Sequence, residues 1–353
     1  METIRILSAD LHFSRIGLGT WAMGGWMWGG TDEQESIRTI HSAIDRGITL
    51  IDTAPMYGFG RSEEIVGKAL ASSGLRQRVV IATKVGLDWA NGEPFRNASR
   101  KRVFAEIDAS LKRLQTDVID IYQVHWPDPL TPIDETADAM ATLLKQGKIR
   151  AIGVSNFSTS QMDRFGLTAP IHSAQPPYNL FERQIEKDVL PHCAWEGIAV
   201  LAYGAICRGL LSGRMDPDIK FEGDDLRKTD PKFQPPRFEQ YLEAVRLLDR
   251  FAQKNYGKRV IHLALRWVLD QPGVSAALWG ARHPGQLDPV GDVMGWTLDH
   301  SALREIDRIV RDTVKDPVGP EFMAPPARTE QMAQGQNKAD FVRFTPASRR
   351  AIR

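Results

Sequence analysis

The chain has 353 residues, 45 basic and 44 acidic side chains for a formal net charge of +1, 42% hydrophobic residues and 25% charged ones. That balance excludes a global field that would gather nucleic acid or an anionic membrane, and it supplies enough apolar material for a large core. The two cysteines, Cys193 and Cys207, exclude a disulfide framework and a four-cysteine metal site and suit a reducing compartment.

The N-terminus, METIRILSADLHFSRIG, carries no continuous apolar stretch and no small-residue cleavage site. No apolar run approaches the ~20 residues that span a bilayer. A cytoplasmic protein with no membrane and no nucleic-acid partner is expected. Short apolar runs then alternate with amphipathic stretches. A strand is expected at 15–19 (RIGLG), followed by an irregular Trp- and Gly-rich segment at 20–32 and a helix at 33–46. Strands at 48–52, 79–83, 119–124, 150–154, 171–175 and 198–203 follow, with helical periodicity at 62–72, 99–115, 133–146 and 184–195. Ser99 has the place of an N-cap, and Gly47, Gly147 and Gly197 sit where helices should stop. A polar excursion with four prolines occupies 214–236, a helix 237–256, the eighth strand 274–279 and a last helix 301–312.

Eight short strands, apolar on both faces and alternating with helices, predict a parallel α/β fold. Units of roughly 44 residues fit a (β/α)8 TIM barrel better than an open sheet. A single domain over 1–353 is expected, with the barrel over about 12–313, long loops, and a C-terminal tail at 314–353 over the barrel mouth. Gly17-Leu18-Gly19-Thr20-Trp21-Ala22 formally matches a dinucleotide-binding fingerprint, but the glycines at 24–30 leave no helix to hold a pyrophosphate.

The chemistry-bearing residues stand at strand ends. Asp52 ends the second strand, with Tyr57 five residues on; Lys84 follows the third strand and His125 the fourth. A barrel brings such ends to one mouth. A phenol titrates near ~10, and an adjacent ammonium is expected to lower that value. Asp52 would serve as counter-ion to Lys84, and His125 would orient a carbonyl or assist proton transfer. Each residue alone has a structural reading as ion pair or packing residue; four together at successive strand ends favour a site. The eight histidines show no ligand spacing, so no metal is expected.

The segments GLGTWAMGG, ITLIDTAPMYGFGRSEEIVGKAL, VVIATKVG, IDIYQVHWPD, IRAIGVSNFS, SAQPPYN, LAYGAICRGLLSG and WGARHPGQL occur in an order that resembles the aldo-keto reductase family over residues 12 to about 313, closest to its bacterial general stress protein branch. The resemblance implies a catalytic tetrad of Asp52, Tyr57, Lys84 and His125, with Tyr57 as general acid in the NADPH-dependent reduction of small aldehydes or ketones. It implies cofactor contacts from Thr20, Trp21 and Asp52, carboxamide contacts from Ser155, Asn156 and Gln175, and stacking on Tyr203. Gly204, Ala205, Arg208, Gly209, Leu210 and Gly213 match the pyrophosphate belt, with Arg208 offsetting phosphate charge. Gly280, Arg282 and Gln286 match the adenine end, where Arg282 would meet the 2′-phosphate of NADP(H). Trp21, Tyr57, His125 and Trp126 would face the carbonyl or alcohol substrate, and Trp26, Trp28, Met56 and Trp89 would line the mouth. Pro289 and Val290 replace a Glu-Asn pair common in the family, and Gly204-Ala205-Ile206 replaces a Ser-Pro-Leu turn. Two other readings stay open: a cofactor-binding sensor with little turnover, and a lyase or isomerase using Lys84 as a Schiff base.

Overall fold

The computed structural model describes residues 1–71 and 74–328; the expected end of the tail, 329–353, lies outside them. An antiparallel hairpin, β1 (Thr3–Ile6) and β2 (Leu11–Ser14), opens the chain. Eight parallel strands then close into a barrel. They are β3 (Ile16–Gly19), β4 (Leu50–Asp52), β5 (Val80–Val85), β8 (Ile119–Val124), β9 (Ile149–Ser155), β10 (Ser173–Gln175), β11 (Ala199–Ala202) and β12 (Val274–Gly280). All eight expected strands are present, and β12 pairs with β3 to complete the ring. A second hairpin, β6 (Leu87–Ala90) and β7 (Glu93–Arg96), rises beyond β5.

Nine α-helices lie among the described residues: α1 (Glu33–Asp45), α2 (Arg61–Ala71), α3 (Arg100–Leu114), α4 (Ile133–Lys145), α5 (Thr159–Gly166), α6 (Val189–Glu196), α7 (Arg237–Tyr256), α8 (Val260–Asp270) and α9 (His300–Thr313). Ser99 caps α3 by accepting from the Arg102 N–H, as its place in the sequence predicts. The helix expected over 184–195 is divided: a 3-10 turn at Gln184–Lys187 gives way to α6, and Asp188 caps the new start. The sequence reading missed α5 and α8. In α8 every residue up to Leu269 is buried, so no polar stripe marks its period.

Alternation along the strands sets the interior. Leu50, Val80, Ala82, Ile121, Ala151, Leu201, Ala276 and Leu278 point inward and pack with Ile6, Leu11 and Phe13 of the first hairpin, which closes the barrel floor. Ile51, Ile81, Tyr122 and Ile152, on the opposite faces of their strands, pack against the helices. Burying one such side chain stabilises the fold by roughly 1.5–3 kcal/mol. One further step along the inward rows brings Asp52, Lys84 and Gln123 to the top of the barrel, where Gly19 pairs with Asp52 and Lys84 with Gln123.

The tail crosses that same top. Arg237 pairs with Asp316, and the Arg96 N–H donates to the Pro326 carbonyl at 2.9 Å. Arg328 donates to Thr131 Oγ1 at 2.7 Å and pairs with Asp128 at 3.1 Å, in the loop after β8.

Candidate active site

Asp52 and Lys84 are buried at the inner ends of β4 and β5. Lys84 Nζ donates to both Asp52 oxygens at 2.9 and 2.7 Å, to the Thr53 carbonyl at 3.0 Å and to Tyr57 Oη at 3.1 Å. The Tyr57 ring stands edge-on to His125 with centroids 6.0 Å apart and stacks on Trp21 at 5.9 Å. The four expected residues therefore form one contact group. Lys84 is 1% exposed and its ammonium is fully engaged, which speaks against a Schiff-base role.

Two close backbone approaches hold Tyr57. A Cβ on Gly58, at φ +67°, would lie 2.1 Å from the Gly24 carbonyl oxygen, and one on Gly24 would lie 2.5 Å from the Tyr57 carbonyl carbon. Only glycine at both positions lets the 20–30 loop press against the tyrosine loop. Thr20 adds a hydrogen bond from Oγ1 to the Asp52 carbonyl at 2.9 Å.

The electrostatics depart from one expectation. Burial, and then the negative charge of Asp52, push the Tyr57 phenol well above its ordinary value. Asp52 neutralises the neighbouring ammonium, so Lys84 does not lower the phenol in this state. Burial pulls Lys84 below its usual value, against the pull of Asp52. Burial and then Lys84 hold His125 well below the ordinary histidine range. The site thus presents a protonated phenol beside a neutral imidazole, a pair able to donate a proton and to hydrogen-bond an oxygen.

A polar layer lies beneath these residues, and one member, Gln123, escaped the sequence reading. Gln175 Nε2 donates to Asp52 Oδ1 at 2.7 Å and to Gln123 Oε1 at 3.3 Å, while Gln123 Nε2 reaches Asp52 Oδ1 at 3.5 Å. Gln123 shares the inward parity of Ile121, which is the signal that would have found it. A Cβ on Gly153 would lie 2.7 Å from Gln123 Cγ, so the glycine makes room for that side chain.

The expected carboxamide residues are linked to one another. Ser155 Oγ donates to the Gln175 carbonyl at 2.7 Å, Asn156 Nδ2 to the His125 carbonyl at 3.0 Å, and Tyr203 Oη to Asn156 Oδ1 at 3.0 Å. From Asp52 and Tyr57 a cleft of about 360 Å³ runs past Tyr203, Gly204 and Gly209 to Gly280, Arg282, Gln286 and Pro289. Ala205 and Leu210 are buried behind it, and a Cβ on Gly213 would strike Val260 at 2.7 Å. The sequence reading missed Arg214, Arg227 and Arg259, which also line the cleft. Val290, beside the Pro289 of the cleft wall, is buried.

Arg282 donates to the Trp28 carbonyl at 3.0 Å and the Gly30 carbonyl at 2.5 Å, while its N–H donates to Gln286 Oε1 at 2.6 Å. Arg208 lines the cleft, but its charge is not free as expected. Its Nε donates to Asp230 at 2.6 Å and its Nη2 to Glu182 at 2.7 Å, so its charge is already matched by buried carboxylates rather than left for a phosphate. Of the residues expected at the mouth, Trp21 and Trp28 line the cleft, Met56 is buried, and Trp26 and Trp89 flank Phe59. Trp126 is covered by the Arg96 guanidinium, 5.1 Å from its ring. Among the described residues no cluster of three or more His, Cys, Asp or Glu has metal-binding geometry, and no helix is long and apolar enough to cross a membrane.

Residues 15–311 match the model of the aldo/keto reductase family. The chain is 61% identical over 330 residues to aldo-keto reductase YhdN of Bacillus subtilis (strain 168), covering 94% of this chain and 100% of that one. It is 36% identical over 304 residues to the NADH-specific methylglyoxal reductase of Escherichia coli (strain K12), covering 81% and 91%. A structure of the glycerol dehydrogenase AKR11B4 from Gluconobacter oxydans superposes with a TM-score of 0.83 at 53% identity, over 91% of this chain and 99% of that one. The holo form of aldo-keto reductase AKR11C1 from Bacillus halodurans gives 0.73 at 28% identity, over 92% and 100%.

Proposed function

Since the chain belongs to the aldo/keto reductase family, we propose that it is an NADPH-dependent reductase of small aldehydes and ketones in which Tyr57 is the general acid. The observation that carries this reading is the Asp52–Lys84–Tyr57 chain of hydrogen bonds beside His125, at one end of a continuous cleft. The cleft fits a dinucleotide: it is long, lined by glycines and arginines, and its wall holds the buried Trp28 Nε1, which has no partner among the described residues. When bound, the nicotinamide supplies the hydride. Ser155, Asn156 and Gln175 would hold the carboxamide by exchanging part of their present bonds to one another and to Asp52, and Tyr203 would offer its ring. His125 holds the carbonyl oxygen in hydrogen-bonding range of Tyr57, whose hydroxyl delivers the proton. Lys84, fixed by Asp52, stabilises the phenolate left behind.

Five arginines line the cleft; Arg208 and Arg227 are paired with carboxylates, and Arg214, Arg259 and Arg282 support a phosphorylated cofactor. One relative is named as NADH-specific, so the choice needs its own test. Arg282→Ala removes a guanidinium and also frees the Trp28 and Gly30 carbonyls. Loosening of the loop weakens NADPH and NADH alike, whereas loss of a 2′-phosphate contact weakens NADPH binding at least tenfold more, by about 1.4 kcal/mol. The substrate class favoured is uncharged and compact, such as short sugar-like aldehydes. The deciding experiment is NADPH consumption against a panel of such carbonyls. Tyr57→Phe should lower turnover by about 10²–10⁴-fold while cofactor still binds; undiminished turnover in that variant refutes the assignment. Two buried free thiols support a reducing compartment, the cytoplasm, as its place.

A further inference from the structure

Behind the cleft lies a cluster of formal charges from three separate segments. Glu182 comes from the stretch before α6, Arg208 from the turn over 204–213, and Asp230 and Lys232 from the excursion over 214–236. All four side chains are at most 4% exposed. Arg208 binds Asp230 and Glu182, and Lys232 Nζ reaches the same Glu182 oxygen at 2.8 Å. Asn179 Nδ2 donates to the other Glu182 oxygen at 2.7 Å and to the Gly204 carbonyl at 3.0 Å. The formal charges cancel. Burial opposes the Arg208 charge, but Glu182 foremost holds the guanidinium above its ordinary range, and Glu182 itself is held below the usual carboxylate range.

Two features make this more than a generic ion cluster. Arg208 sits at φ +53° directly after Cys207 at φ +47°, two successive non-glycine residues in the left-handed region. Such a backbone persists only where its surroundings over-determine it, and here the ion pairs of Arg208 do so. The cluster also grips the tail: Lys232 Nζ donates to the Gly319 carbonyl at 3.0 Å, and the Arg208 guanidinium lies 5.5 Å from the Phe322 ring and 3.8 Å from Met323 Sδ. Met323 is itself part of the cleft wall.

We propose that Lys232, which does not line the cleft, is a positioning residue: through Glu182 and Arg208 it fixes the left-handed turn of the cleft wall, and through Gly319 it fixes the tail, so that one buried charge cluster sets the affinity for the cofactor. The inference rests on the assignment of the cleft to a nicotinamide dinucleotide. Lys232→Met leaves an uncompensated buried carboxylate. Lys232→Met combined with Glu182→Gln restores neutrality and keeps an acceptor for Arg208.

The test uses the full chain and reads the dissociation constants of NADPH and NADH by protein fluorescence quenching, with Tm and the kcat and KM for one reduced carbonyl measured alongside. In Lys232→Met the cofactor dissociation constant should rise about tenfold or more while kcat at saturating cofactor changes little. In the double variant the cofactor affinity should recover most of that loss. A fall in Tm with unchanged cofactor affinity in Lys232→Met, or an affinity loss that the neutral double variant leaves in full, overturns the proposal. If Lys232→Met does not fold, Lys232→Arg, which keeps the charge but moves its donors, is read in its place: a weaker cofactor affinity at wild-type Tm supports the proposal, and unchanged affinity overturns it. A wild-type chain that binds neither dinucleotide refutes the assignment of the cleft instead.

Discussion

The Lys84 ammonium is divided among Asp52, the Thr53 carbonyl and Tyr57, and this division fixes how the site should respond to pH. The phenol is pushed upward by burial and by Asp52, so Tyr57 keeps its proton past its ordinary value of about 10. With Tyr57 as the general acid proposed above, reduction would consume that proton and should stay flat from about pH 7 to 10, whereas the reverse oxidation would need the phenolate and should rise with pH over that range. His125 is depressed, so it is neutral above its unperturbed value of about 6.5 and should add no limb between pH 7 and 8. A profile of kcat against pH in both directions checks this, and a decline in reduction centred near pH 8 would contradict it. Lys84→Met should remove most turnover, roughly 10²-fold or more, because it strips the phenolate of its stabilising cation and leaves Asp52 buried and unpaired. Comparing cofactor binding with single-turnover rate separates those two effects.

At the scale of elements, strand parity is what delivers residues to the site. It was legible for Asp52 and Lys84 because each lies at the end of an apolar run. It was missed for Gln123, whose place inside β8 gives no such contrast, although it follows Ile121 on the inward face. Ser158, with its Gln161 partner, carried a capping-box signature for α5 that went unread, whereas α8 is buried on all sides and offers no period to find. The antiparallel hairpins β1–β2 and β6–β7 are short additions that a strand–helix alternation does not predict. Arg208 lines the cleft as expected, but its pairing was not legible: its carboxylate partners lie 26 and 22 residues away in segments that read as loop, and spacing alone does not reveal such pairing. The loop contact between Gly24 and Gly58 gives the element-scale prediction. Gly58→Ala forces a Cβ onto a carbonyl oxygen at a positive φ, which should cost roughly 1–3 kcal/mol of stability. Because Tyr57 adjoins the displaced peptide, kcat should fall far more than Tm alone would suggest, and measuring the two together shows whether the loop also aims the tyrosine.

For the whole molecule, three partly or wholly buried histidines set the response to acid. His125, His172 and His262 are all depressed, with burial the largest cause in each. His172 and His262 also accept backbone N–H bonds at Nδ1, from Ile152 and Arg259. The unfolded chain takes up protons at these residues first, at about pH 6.5, so the stability they contribute is present above that value and lost as pH falls through it. Glu63 acts in the opposite sense, since burial raises it and favours the folded state at low pH. With three groups against one, Tm should be lower at pH 5 than at pH 7.5; replacing His172 with Asn should flatten that dependence in part, and an unchanged slope would show that other groups dominate.

The hairpin that packs Ile6, Leu11 and Phe13 into the barrel floor has a kinetic meaning as well. A barrel sealed below has one doorway, and every molecule taking part in turnover must pass through it. Whichever reactant lies deeper must arrive first and depart last, like plates in a stack. On the reading of the cleft given above, the dinucleotide runs under the tail and the 214–236 excursion, and the carbonyl meets Tyr57 from the open side. Steady-state turnover should then be sequential and ordered, with the oxidised cofactor competing against the reduced one and the alcohol product competing with neither at saturating cofactor.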